Sequence, residues 1–164
     1  HTFPGGSHAV GELATSIAAG KCSLSFSVAF YRGVVCNALV CLAVWLCFSG
    51  RSVTDKILAI LFPITAFVMA GFEHSVANMY FIPAGLLTKT ALPTEQLPAN
   101  VSHLTWYGFL VGNLLPVTLG NILGGSVLVG MAYWLIYSRR NLTTPKAVRE
   151  AKAEGEAAWV ESAE

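Results

Sequence analysis

Glu73 and His74 stand side by side near the middle of a long apolar segment, residues 57–88, of a 164-residue chain. A carboxylate and an imidazole are expensive at membrane depth. They persist there only facing protein or a water-filled path, which makes the pair a functional site by default. His74 is the side chain in the apolar segments whose ordinary pKa lies nearest physiological pH, so it could donate a hydrogen bond or a proton to an anion. The plain alternative is a histidine satisfied by neighbouring helices. Glu73, if ionised in low dielectric, needs a cation beside it. Phe67 lies seven residues before His74, about two helical turns away, and can project to the same side. Asn37 and Asn121 each place an amide in an uncharged part of another apolar segment, and buried amides need partners.

The surrounding elements must hold these groups at depth. The apolar halves flanking the pair, roughly 16 residues before it and 13 after, are each too short to cross a hydrocarbon core of about 30 Å. Joined through a break at Glu73-His74-Ser75 they cross once, as a discontinuous helix whose freed backbone groups line a cavity. Pro63 and Pro83 are breakers that neighbouring helices can accommodate.

Composition points the same way. Hydrophobic residues make up 54% of the chain and charged residues 12%, against about 25% charged in soluble domains. An all-α polytopic membrane protein is expected, with three transmembrane helices at about 27–48, 57–88 and 106–137. Residues 1–26 read as an inter-helix connector, or the frayed end of an earlier helix, with a weakly amphipathic stretch at 9–19, and 141–164 as a polar solvated tail. A net charge of +1 gives no case for nucleic acid. Cys22, Cys36, Cys41 and Cys47 show no metal-ligand spacing and read as buried thiols acting as small hydrophobes. The chain opens at His1 without a signal-peptide pattern, and the expectation is a C-terminal part of something longer.

Asp55, in the short charged loop 51–56, is placed to complement the start of the second span. The third span is long and free of formal charge; Gly112, Pro116 and Gly120 make a break in its first half plausible. Gly120 and Gly124 offer a small-xxx-small face for close helix approach, and Tyr133, Trp134 and Tyr137 an aromatic belt at the exit. Arg139, Arg140, Lys146, Arg149 and Lys152 follow that span, Arg51 and Lys56 lie in the first loop, and 89–105 carries only Lys89. The positive-inside bias then puts the C-terminus in the cytoplasm and the 89–105 loop on the other side.

Two other function classes fit less well. A haem-binding anchor subunit would want a second axial ligand at depth, where His74 is the only histidine. An acid–base enzyme would want a nucleophile or metal cluster near the Glu-His pair. No catalytic residue, metal or cofactor is expected.

Residues 71–79 (GFEHSVANM), with 121–125 (NILGG), resemble the formate/nitrite transporter family. Further ordered blocks at 37–45 (NALVCLAVW), 49–52 (SGRS), 102–105 (SHLT) and 116–121 (PVTLGN) extend the resemblance over about residues 20–140, most closely to its bacterial formate channels. The resemblance implies a six-helix, aquaporin-like protomer of two inverted three-helix repeats, a homopentamer with one pore per protomer, in the bacterial inner membrane. This chain would be the second repeat, partnered by the N-terminal half of the same protein. Formate is the implied permeant, with nitrite or hydrosulfide as alternatives. By analogy, Asn37 and Asn121 flank His74 to orient it or contact substrate, with a purely interhelical hydrogen bond as the alternative. Phe67 becomes a pore gate, with a core aromatic as the alternative. Lys21 pairs with Glu73 as a vestibule charge pair, with Arg32 as the second choice.

Overall fold

The computed structural model describes residues 6–138, and every regular element among them is helical. The chain divides into two compact units, His1–Val129 and Gly130–Glu164. The helices are α1 (Gly6–Cys22), α2 (Phe26–Cys47), α3 (Val53–Met69), α4 (Ser75–Lys89) and α5 (Gly108–Ser138). Two of them, α2 and α5, are long and apolar enough to cross a membrane. At about 1.5 Å per residue the 22 residues of α2 reach about 33 Å. In the second unit the described residues are also helical, and the Tyr133 and Tyr137 rings lie 4.6 Å apart. The basic cluster from Arg139 onward, the 141–164 tail and His1 lie outside the described residues.

Of the two readings of residues 1–26 the connector gives way to the helix: residues 6–22 are helical and packed on α4. Its buried face is Gly11, Thr15, Ala18, Ala19 and Cys22, a true helical stripe built from small residues. Small and hydroxylated side chains give little hydropathic contrast, which is why the pattern reads weakly in sequence. Close approach needs that smallness. A Cβ added to Gly85 of α4 would collide with the Ala18 side chain, and Thr15 Oγ1 lies 2.9 Å from Thr88 Oγ1.

Helices α2 and α5 meet in the same manner. A Cβ at Gly120 would strike the Phe30 carbonyl, one at Gly124 the Val34 carbonyl, and one at Gly33 would come within 2.8 Å of the Val117 carbonyl. The backbones therefore touch directly. Around Pro116 the helix does not break. The turns before it, Gly108–Leu114, are π-wound, a local adjustment that accommodates the missing proline N–H. Pro63 and Pro83 likewise sit inside α3 and α4 without ending them.

Helix α3 starts on a capping box. Ser52 Oγ accepts from Asp55 N at 3.1 Å, and Asp55 Oδ2 accepts from Ser52 N at 2.9 Å. The bonds with Ser52, and the one from Arg51 N, hold the Asp55 carboxyl below the usual carboxylate range. The helix ends at Met69, and Gly71 turns the chain out of it at φ +65°, a conformation glycine adopts without strain. Residues 70–74 are non-helical before α4 begins at Ser75. Beyond α4, Lys89 Nζ donates to the carbonyls of Val101 at 3.4 Å and Leu104 at 3.0 Å, folding the polar connector back. Leu104 is fully buried with Ala18, Ala19, Cys22, Ile82 and Phe109.

Because the α2–α5 contact has no room for a side chain, Gly124→Val in the full-length protein is expected to separate the helices. The check is thermal unfolding in detergent, where the midpoint should fall clearly below wild type. Gly20→Val, at a glycine with open space around it, should leave it nearly unchanged.

Candidate functional site

The non-helical segment 70–74 is anchored through Glu73. Its side chain is 3% exposed, and Oε1 lies 3.0 Å from Lys21 Nζ at the end of α1. The other oxygen, Oε2, accepts from Asn78 Nδ2 at 2.6 Å and Asn113 Nδ2 at 3.2 Å. The two amides are themselves joined, Asn78 Nδ2 donating to Asn113 Oδ1 at 2.7 Å. Asn113 Nδ2 also donates to the Lys21 carbonyl at 3.0 Å. One carboxylate thus gathers α1, α4 and α5 around the segment. A buried ion pair is tolerable when its remaining lone pairs are met by hydrogen bonds, and here they are.

Asn121 on α5 fixes the backbone on both sides of His74. Its Oδ1 accepts from Ser75 N and Ser75 Oγ, both at 3.0 Å. Its Nδ2 donates to the carbonyls of Glu73 at 3.1 Å and Gly33 at 2.9 Å. Asn37 Nδ2 on α2 donates to the Asn121 carbonyl at 2.6 Å, an interhelical bond rather than a contact with the imidazole. Asn121 is therefore brought to the backbone beside His74, and Asn37 one step behind it.

His74 caps the N-terminus of α4 in extended conformation, φ −114° and ψ 119°. It lies where the positive end of a helix dipole adds to any donor it offers. Its ring stands 6.3 Å from that of Phe67, inclined at 41°. Both side chains are half-buried. Among the described residues, His74 Nδ1 is buried without a hydrogen-bond partner. Asn78 Oδ1, in the network around Glu73, is likewise buried without a partner, whereas buried polar atoms are ordinarily paired. Arg32 Nη1 reaches the Gly71 carbonyl at 3.4 Å from α2 and does not pair with Glu73.

Asn78, Asn113 and Ser75 were not marked by sequence reasoning. The signal existed: Asn78 and Asn113 are amides in apolar runs, as Asn37 and Asn121 are. Nothing local says which amide faces the carboxylate. Among the described residues no group of three or more His, Cys, Asp or Glu could hold a metal, and the four cysteines are free thiols.

Residues 1–135 match the family model of the formate/nitrite transporter. The chain belongs to the formate/nitrite transporter family. It is 46% identical over 123 residues to the formate channel FocA of Escherichia coli, covering 71% of this chain and 43% of FocA. It is 48% identical over 126 residues to a probable formate transporter of Methanothermobacter thermautotrophicus, covering 76% of this chain and 41% of the relative. Among solved structures it resembles a pentameric formate channel with formate bound, with TM-score 0.73, 44% identity and coverage of 83% of this chain and 56% of that one. These family members are channels and transporters, not enzymes. The chain spans under half the length of the two curated relatives.

Removing the cation from the buried pair isolates the test of the network. In the full-length protein Lys21→Met is expected to destabilise by about 3 kcal/mol, because Glu73 is left buried without its counter-charge. Adding Glu73→Gln should recover much of that loss. Denaturant unfolding in detergent checks both variants, and additive losses in the double variant would contradict the coupling.

Proposed function

We propose that this chain is the second inverted three-helix repeat of a six-helix channel protomer. The protomer passes formate and similar small monovalent anions, or their neutral acids, across the bacterial inner membrane with pH dependence. In this proposal α3 and α4 cross the bilayer together as one discontinuous span between α2 and α5. Supporting that is α3 itself, which buries no residue and leaves Phe62, Val68 and Met69 at 73%, 63% and 82% exposure. A helix apolar all round belongs in lipid or against more protein. The N-terminal half of the same protein, and the neighbours in a homopentamer, would cover these faces. The positive-inside bias of the loops puts the C-terminus in the cytoplasm.

The observation that carries the mechanism is His74 Nδ1, buried and unpartnered beside Phe67. A carboxylate ion entering an apolar constriction loses much of its hydration energy, whereas its neutral acid loses far less. A donor held at the N-terminus of α4 lowers the cost of bringing the anion in and of protonating it there. Phe67 then gates the path on one side of the imidazole. Glu73 and Lys21 hold that donor in place and, as a neutralised pair, leave no deep trap for an anion. Asn121 fixes the backbone on either side of His74, and Asn37 steadies Asn121.

The test is formate flux into proteoliposomes containing the full-length protein, for wild type and His74→Ala, over pH 5–8 as external conditions. Wild type should conduct faster as pH falls, because more of the permeant is neutral acid. His74→Ala should lose on the order of tenfold or more of the flux and flatten that dependence. Equal flux and equal pH profiles would remove His74 from the mechanism. Nitrite and hydrosulfide as competing permeants in the same vesicles would set the selectivity.

A further inference from the structure

Arg32 lies in the apolar run of α2, and the carboxylate available to it, Glu73, is taken by Lys21. Among the described residues the guanidinium has no acidic partner. It donates instead from Nη1 to the Gly71 carbonyl at 3.4 Å, which engages one of its five N–H groups. Arg32 is half-buried and its bond to Gly71 is exposed. Arg32 follows Ala29 by three residues and precedes Cys36 by four, both buried, so all three share one side. The adjacent Gly33 carbonyl accepts from Asn121 Nδ2, the amide that also holds the Glu73 carbonyl. Arg32 therefore stands level with segment 70–74. From Gly71, which it touches, to His74 is three residues, at most about 11 Å between Cα atoms. At the far end of that short stretch is the unpartnered His74 Nδ1.

An intramembrane cation without a carboxylate is unfavourable unless it faces a polar path and meets anions there. We propose that Arg32 is a docking site for a small monocarboxylate on its way to His74. The planar guanidinium presents paired N–H donors that match two carboxylate oxygens, a fit that an ammonium lacks. The site is distinct from Lys21, whose charge is occupied by Glu73. The inference rests on the anion-channel function proposed above, and it adds a recruiting step ahead of the histidine.

The full-length protein with Arg32→Gln and Arg32→Lys decides it. Glutamine keeps N–H donors but carries no charge; lysine keeps the charge without the fork. Formate flux in proteoliposomes should show a half-saturating concentration about tenfold higher for Arg32→Gln, the loss of a charge-assisted contact. Flux at saturation and its pH profile should stay close to wild type, and Arg32→Lys should recover part of the affinity. Calorimetric titration of formate into the detergent-solubilised proteins gives a readout independent of conduction. If wild type binds formate more tightly than Arg32→Gln yet passes none, docking at Arg32 stands and the channel function fails. Equal affinity in the two proteins, or no binding to either, overturns the inference. So does a fall in thermal stability as the sole effect of Arg32→Gln, because the arginine would then merely cap the end of α3.

Discussion

A single buried carboxylate organises this molecule. Glu73 is 2% exposed, and each of its oxygens is held by a different part of the chain. Left alone there, an ionised carboxylate would be intolerable; surrounded by Lys21, Asn78 and Asn113 it becomes a rigid joint. In the non-helical segment beside it, Ala70, Gly71 and Phe72 still donate their N–H groups back to α3 carbonyls, and from Glu73 onward the outside partners take over. His74, one residue on, inherits that rigidity and leaves one ring nitrogen uncommitted.

The joint works only because the helices come close enough to bring short side chains to it. An asparagine reaches few ångströms from its backbone, and Asn113 and Asn121 must extend from α5 to a segment between α3 and α4. Glycine at 33, 120 and 124 allows α2 and α5 to touch backbone to backbone. Gly85 and Ala18 do the same for α4 and α1. Small residues here set distance, and distance decides which amide meets which acceptor. The exposed apolar surface left on α3 has the opposite meaning. It is an apolar face that nothing in the described residues buries.

Much of this was legible in the chain itself. The apolar runs at 27–48 and 106–137 end within about two residues of α2 and α5, a difference of the size of helix-end fraying. Glu73-His74 announced a polar site because apolar surroundings make such residues costly. Helix α1 is not separable from a connector in sequence, because its buried stripe of Gly11, Thr15, Ala18, Ala19 and Cys22 carries little hydrophobic contrast. At Pro116, where a break is plausible beside tilt or projection beyond the membrane, the helix continues after a π-wound stretch, and backbone winding of that kind leaves no mark in side-chain pattern.

The sequence by itself determined the apolar lengths, the family blocks, and the presence of one titratable pair where titratable groups are expensive. These are properties of residue type and spacing, and the hydrophobic effect acts on them locally. Only the tertiary structure decided the pairings. Lys21 and Glu73 are 52 residues apart, Asn113 and Glu73 40, and Asn37 and Asn121 84. Contacts at such separations depend on helix crossing distances of a few ångströms. No local pattern distinguishes Asn78 and Asn113, which meet the carboxylate, from Asn37, which meets a backbone carbonyl, or Asn121, which holds Glu73 and Ser75 on either side of His74. The four amides are chemically alike in sequence, and only the packing of the backbones told them apart.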